Sequence, residues 1–243
     1  MVKHKILVCL VFVTMGFTLV SCKTMDARLG EITSGFPAID GKPTEQDFYQ
    51  GVLDALRVGI QRAIEALGRN GGYYNDLQVK IPVSDQLQKV AATLRRLGQD
   101  QYVDQFIKTM NKAAEQAVPQ ATDIFMGAIR QMKIDDAKQI INGPDNAATE
   151  YFKSKTYAPL REAFLPVVKR ATNQVNLTAS YKSMTDMIGF LGQYLNEDTL
   201  DLDAYITRKA LDGLFIKLAV EEKKIRHDPV ARTTDILRKV FGQ

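Results

Sequence analysis

Leu202-Asp203-Ala204-Tyr205-Ile206-Thr207-Arg208-Lys209-Ala210-Leu211-Asp212-Gly213-Leu214-Phe215-Ile216-Lys217-Leu218-Ala219-Val220 is the stretch whose reading decides the fold. From Ala210 onward, Leu211, Leu214, Phe215, Ile216, Leu218, Ala219 and Val220 place apolar groups nearly all the way round a helix. A helix lying on a surface shows one apolar stripe, whereas one that is apolar on every side must be surrounded. Leu202 to Arg226 therefore reads as one long helix at the centre of an all-α domain.

Working outward, Thr178 to Leu195 reads as a helix before it, and Thr234 caps a terminal amphipathic turn after it, with Ile236, Leu237, Val240 and Phe241. At the other end Thr44 is placed to cap a helix whose apolar positions Phe48, Val52, Ala55, Leu56, Ile60, Ala63, Ile64 and Leu67 keep the 3.6 period. Gly68, Gly71 and Gly72 close it, and no strand precedes them to make a phosphate cradle. Ser84 caps a helix through Leu97, ended by Gly98, and another runs from Gln99 to Val118. Pro119 suits the first turn of a restart, with Ile124 to Met132 continuing the period.

Asp135 starts a short segment that Asn142-Gly143-Pro144 stops. Asp145 or Asn146 caps the next helix, with Ala147, Ala148, Tyr151 and Phe152. Pro159 opens a further one with Leu160, Phe164, Val167, Val168, Ala171 and Val175 inward. Pro166 inside it removes a backbone donor and crowds the carbonyl of Glu162, which predicts a kink. Val79-Lys80-Ile81-Pro82-Val83 alternates, but its proline confines it to an edge or a loop. The expectation is a single-domain helical bundle of about 8–10 helices over residues 44–243, with the long C-terminal helix central.

The first residues are of another kind. Lys3 and Lys5 precede an apolar run from Ile6 to Leu19, and Leu19-Val20-Ser21-Cys22 resembles a bacterial lipoprotein signal, cleaved before Cys22 with acylation of that residue. The run is about 14 residues, short of the roughly 20 a spanning helix needs. Residues 1–21 thus read as a signal peptide and 22–43 as a lipidated flexible tether containing Gly30, Gly35, Pro37 and Gly41. The expected location is the cell envelope, lipid-anchored. Lys23 rather than Asp after the cysteine points to the periplasmic face of the outer membrane.

Removal of the signal takes away two lysines and no acid, so Lys+Arg falls from 32 to 30 against 28 Asp+Glu. Such a balance gives no basic footprint for nucleic acid. The one basic cluster, Lys223, Lys224 and Arg226, follows Glu221 and Glu222 and reads as a solvated, mixed-charge helix end. Cys9 leaves with the signal and Cys22 carries the lipid, so no thiols remain to pair. His227 is the single histidine after the signal. Zinc sites, Cys–His nucleophiles and His-based metal clusters therefore lack their ligands, and no metal or cofactor is expected.

Six strings carry a resemblance when taken together: Lys209-Ala210-Leu211-Asp212-Gly213-Leu214-Phe215, Glu221-Glu222-Lys223-Lys224-Ile225-Arg226-His227-Asp228-Pro229, Val79-Lys80-Ile81-Pro82, Ala114-Glu115-Gln116-Ala117-Val118-Pro119, Ala147-Ala148-Thr149-Glu150-Tyr151-Phe152 and Phe164-Leu165-Pro166-Val167-Val168. In this order the chain resembles a family of bacterial secreted or lipid-anchored proteins catalogued as domain of unknown function 4197, over about Glu45 to Gly242. The resemblance implies an all-helical extracytoplasmic domain and supplies no activity and no catalytic residue. Gly143-Pro144-Asp145-Asn146 departs from the acid-rich turn expected of that family before Ala147.

Asp212 is the most pointed candidate residue. Tyr205, Arg208, Phe215, Ile216 and Ala219 share its face, so its carboxylate is either a pocket acid or one half of an internal Arg208–Asp212 pair. Asp145, Thr149 and Arg161, with Tyr151 and Lys155, gather polar groups at helix starts, where either capping or an anion or polar-ligand site is at work. Glu197, Asp198, Asp201 and Asp203 lack the EF-hand spacing and read as helix-start acids. No serine sits in a strand-turn-helix elbow. The expected function is binding or interaction, with an apolar or amphipathic ligand or an envelope protein as partner and the membrane engaged through the N-terminal lipid. The alternative is a hydrolase working with carboxylates.

Overall fold

A computed structural model describes residues 44–174, 176–186 and 201–228, all within the unit Pro43–Gln243. The helices are α1 (Glu45–Gly68), α2 (Gln88–Arg96), α3 (Asp100–Ala117), α4 (Ala121–Arg130), α5 (Ile134–Asn142), α6 (Ala147–Gln174), α7 (Leu177–Asp186) and α8 (Leu202–His227). Short 3-10 turns at Asp85–Leu87 and Val118–Gln120 lead into α2 and α4, and no strand occurs among the described residues. The fold is all-α, a helical bundle. Residues 1–43, Val175, 187–200 and 229–243, which include the signal, the tether, the second half of the Thr178–Leu195 helix and the Thr234 turn, lie outside the described residues.

Helix α8 packs against α6, α1 and α3, but it is not enclosed on every side as its composition suggested: Ile216 is 42% exposed and Ala219 and Val220 are partly buried. Ile206, Ala210, Leu211, Leu214, Phe215 and Leu218 are each 5% exposed or less. α6 and α1 cover α8 most extensively, and α3 packs against α6 and α7. Each large apolar side chain so buried contributes about 1.5–3 kcal/mol. Helix α1 starts where Thr44 and Asp47 cap each other: the Asp47 amide donates to the Thr44 hydroxyl at 3.1 Å, and the Thr44 amide to the Asp47 carboxylate at 2.8 Å.

Three expectations are corrected. Pro159 does not open a new helix, because α6 runs unbroken through both Pro159 and Pro166. The two prolines stand seven residues apart on an exposed face, where Lys155 and Glu162 are also exposed, so the carbonyls deprived of a donor face water. Phe152, Leu160, Phe164 and Val168 on the opposite side are fully buried, and their packing holds the helix together. Ser84 is followed by the 3-10 turn and makes no capping hydrogen bond. The end of α8 is not uniformly solvated, since Glu222 is buried at 8% exposure and Arg226 is half-buried.

The segment between α1 and α2 behaves as the proline suggested, and α3 fixes it. The Asn111 side chain accepts from the Ile81 amide at 2.8 Å and donates to the Ile81 carbonyl at 2.9 Å, replacing the strand partner that Val79–Val83 lacks. Buried Glu115 accepts the amide of Tyr73 at 3.1 Å, and the Tyr73 hydroxyl donates to the Ala210 carbonyl of α8 at 2.7 Å. The segment is thereby laid over α8, with Pro82 and Ser84 brought to the first turns of that helix.

Candidate functional site

Residues spaced three and four apart share a helix face. On α8 that spacing aligns Asp201, Ala204, Tyr205 and Arg208, and on α6 it aligns Tyr157 and Arg161. These two faces, with Ser84, Asp85 and Gln86 of the first 3-10 turn as third wall, enclose an open cleft of about 580 Å³. Arg161, Tyr205 and Arg208, three residues that the sequence singles out, meet here.

The cleft is partly preorganised. The Tyr205 hydroxyl donates to the Pro82 carbonyl at 3.0 Å, which fixes its ring. The Arg208 guanidinium lies over that ring, 5.7 Å from its centroid. Tyr157 is half-buried and stacked on Phe215, with ring centroids 6.2 Å apart. Burial raises the Tyr205 phenol above its ordinary pKa and nearby Asp85 adds to the rise, while Arg208 opposes it. Neither guanidinium forms an ion pair among the described residues, although Asp85 and Asp201 line the same space. The Ser84 hydroxyl is buried and has no hydrogen-bond partner among the described residues.

Asp145 and Thr149 lie elsewhere, at the start of α6. The anion at that helix terminus is the chain's own: Glu222 accepts the amides of Ala148 and Thr149, both at 2.9 Å, and the Thr149 hydroxyl at 2.8 Å. Asp145 is not the cap of these amides. It meets His227 at 2.8 Å on the surface, and that hydrogen bond holds its carboxyl below the usual range. A cavity of about 30 Å³ beside Glu222, lined by Val52, Leu56, Ile140 and Leu218, has room for water-sized occupants only.

Asp212 belongs to neither place. It is half-buried and forms no hydrogen bond or ion pair with any described residue, while Arg208 is exposed and turned onto Tyr205. Among the helix-start acids, Asp201 accepts the Ala204 amide at 2.8 Å and Asp203 accepts the Thr172 hydroxyl at 2.8 Å; Glu197 and Asp198 lie outside the described residues. With Asp201 committed to its helix, Asp85 is the carboxylate of the described cleft that remains available. Among the described residues no three His, Cys, Asp or Glu side chains are grouped to hold a metal ion. No described helix is long and apolar enough to cross a membrane.

Tyr157, Ser84 and Asp85 went unsignalled in the sequence. Tyr157 is separated from Arg161 by the Pro159 that seemed to divide two helices, and Ser84 carries an ordinary cap signature. The continuity of α6 and the failure of that cap are what bring them to the cleft.

No curated protein and no solved structure matches this chain. The family model described as "Protein of unknown function (DUF4197)" matches residues 42–242, nearly the whole of the helical region, and the chain belongs to that family.

Proposed function

We propose that this protein is a binding module, held to the envelope by acyl chains on Cys22, and that the cleft between α6, α8 and the Ser84 turn receives a small amphipathic molecule. The observation that carries the reading is the convergence of two unpaired guanidiniums, Arg161 and Arg208, with the rings of Tyr157 and Tyr205 on one open volume. Rings provide apolar contact area at low entropic cost, and the cations orient a polar end. The two helices that form its walls, α6 and α8, pack on each other more extensively than any other described pair.

The test is native mass spectrometry of protein purified from its own envelope. The wild type should carry a co-purifying small molecule, and the Arg161→Ala/Arg208→Ala double variant should lose it. Both arginines are exposed, so the variant should keep its helicity and its melting temperature. A molecule retained equally by both proteins, or none on the wild type, refutes the reading.

A further inference from the structure

We infer that the ligand of this cleft is a small acid carrying hydroxyl groups: a carboxylate or phosphate held between Arg161 and Arg208, with its hydroxyls donating to Asp85. This rests on the cleft being the ligand site and assigns the class of molecule it takes.

The arginines favour an anion. A guanidinium is charged at every accessible pH and presents planar donors that match a carboxylate or phosphate. Arg208 is turned over the fixed ring of Tyr205, 5.7 Å from its centroid, and has no carboxylate partner among the described residues. Some arginines of this surface are ion-paired, Arg57 with Asp54 at 2.6 Å and Arg95 with Asp100 and Asp104 at 3.1 and 2.9 Å, and others, such as Arg130, have no ion pair among the described residues; what sets Arg161 and Arg208 apart is that both line one cleft. In the cleft, cations and carboxylates line one space yet stay apart.

Asp85 stands in the same cleft, where it repels a bare, multiply charged anion but accepts readily from a hydroxyl. An acidic polyol meets both the guanidiniums and Asp85. A neutral sugar leaves the guanidiniums without a counter-charge, and an inorganic anion leaves Asp85 without a donor.

The experiment is calorimetric titration of the soluble domain from about residue 43, after circular dichroism and melting have shown that it folds, with glucuronate, glucose and inorganic phosphate as probes. Vesicles of phosphatidylglycerol, in parallel with phosphatidylcholine, distinguish a lipid headgroup from a free acid. Glucuronate should bind at least tenfold more tightly than glucose, and Arg161→Gln or Arg208→Gln should each weaken it about tenfold, the size of one charged hydrogen bond. Asp85→Asn should weaken glucuronate while strengthening phosphate, a crossing that a merely structural Asp85 would not produce. Preferential binding of the wild type to phosphatidylglycerol, lost in the arginine variants, supports a headgroup as the source.

Equal binding of glucose and glucuronate, or no binding of any acidic probe at millimolar concentration, overturns the assignment. If a co-purified molecule is nonetheless lost from the arginine variants, the cleft remains the site and only the ligand class is wrong. If that molecule survives in both variants, the site itself is wrong.

Discussion

Glu222 accepts both the backbone amide and the hydroxyl of Thr149, at 2.9 and 2.8 Å, across 73 residues of chain. The same carboxylate receives Arg226 at 2.9 Å, and Arg226 donates to the Ile140 carbonyl at 2.7 Å. A negative group thus sits at the start of α6 and a positive one at the end of α5, each complementing the local helix dipole. One ion pair on α8 closes two helix ends at once.

Breaking this arrangement should be expensive. Glu222→Gln removes the negative charge that Arg226 faces in a site where both side chains are little exposed, at 8% and 12%. A loss of about 3 kcal/mol is expected, at the low end of the range for removing one member of a buried pair. Thr149→Val should cost about 1 kcal/mol. The double variant should lose less than the sum, because the two changes share one hydrogen bond. Urea denaturation of the four proteins checks this, and strict additivity would show that Glu222 and Thr149 act independently.

What could be read in the sequence followed from local pattern. α1 announced itself through Thr44 and an apolar face of Val52, Leu56, Ile60 and Leu67, and α8 through having no polar side. The all-α class follows from such signals. The Glu222–Thr149 bond does not, because Glu221-Glu222-Lys223-Lys224 has the composition of a solvated helix end and only the approach of α6 makes Glu222 a buried cap. Pro159 misled for a related reason: its helix-breaking tendency is local, and the burial of Phe152, Leu160 and Phe164 overrides it. Arg161, Tyr205 and Arg208 were visible as polar residues on otherwise apolar helices. Their meeting with Ser84 depends on Asn111 and Glu115 placing the segment before α2, which no spacing along the chain encodes.

Gly213 marks the point where that segment is pressed onto α8. A β-carbon there would come 2.7 Å from Cε1 of Tyr73 and 3.2 Å from Cβ of Val79. Alanine improves helix propensity by about 1 kcal/mol, but overpacking costs about 1–3 kcal/mol, so Gly213→Ala should be destabilising on balance. A second change, Val79→Ala, should recover little of the loss, because it keeps the Cβ of the 3.2 Å contact and leaves the Tyr73 ring in place. A thermal melt in which Gly213→Ala matches or exceeds wild type would show that the segment moves aside freely.

Tyrosines set the alkaline limit. Burial, reinforced by Glu115, raises the Tyr73 phenol well above its ordinary value; burial and Asp136 push Tyr151 up to about 12; and Tyr205 is raised as well. For an acid whose folded value exceeds its unfolded value of about 10, the folded state favours the protonated form. That contribution is fully present below pH about 10 and is lost as pH rises through the folded values. The urea midpoint should therefore fall between about pH 10 and 12, in step with late phenolate absorbance. Tyr73→Phe should cost about 1 kcal/mol at pH 8 through the lost bond to Ala210, and the gap to wild type should narrow at high pH. A midpoint that is flat to pH 12 would mean these phenols ionise as freely in the fold as in the unfolded chain.

Anchoring is tested at Cys22. Acyl chains contribute about 0.8 kcal/mol per buried CH₂ group, and two or more make attachment persistent, whereas the polar residues from Lys23 to Lys42 offer no substitute. Cys22→Ala should therefore appear as an unprocessed precursor or as soluble protein, while the wild type sediments with membranes and incorporates labelled palmitate. If the proposed anchor follows enteric-type sorting, Lys23 rather than Asp selects the outer membrane, and Lys23→Asp should move the protein to the inner-membrane fraction without altering its processing. The folded domain is untouched by either change, and the helicity of protein recovered from each fraction should be equal. Sedimentation of Cys22→Ala with the membrane, fully processed, would refute the lipid anchor and leave the envelope location without its physical basis.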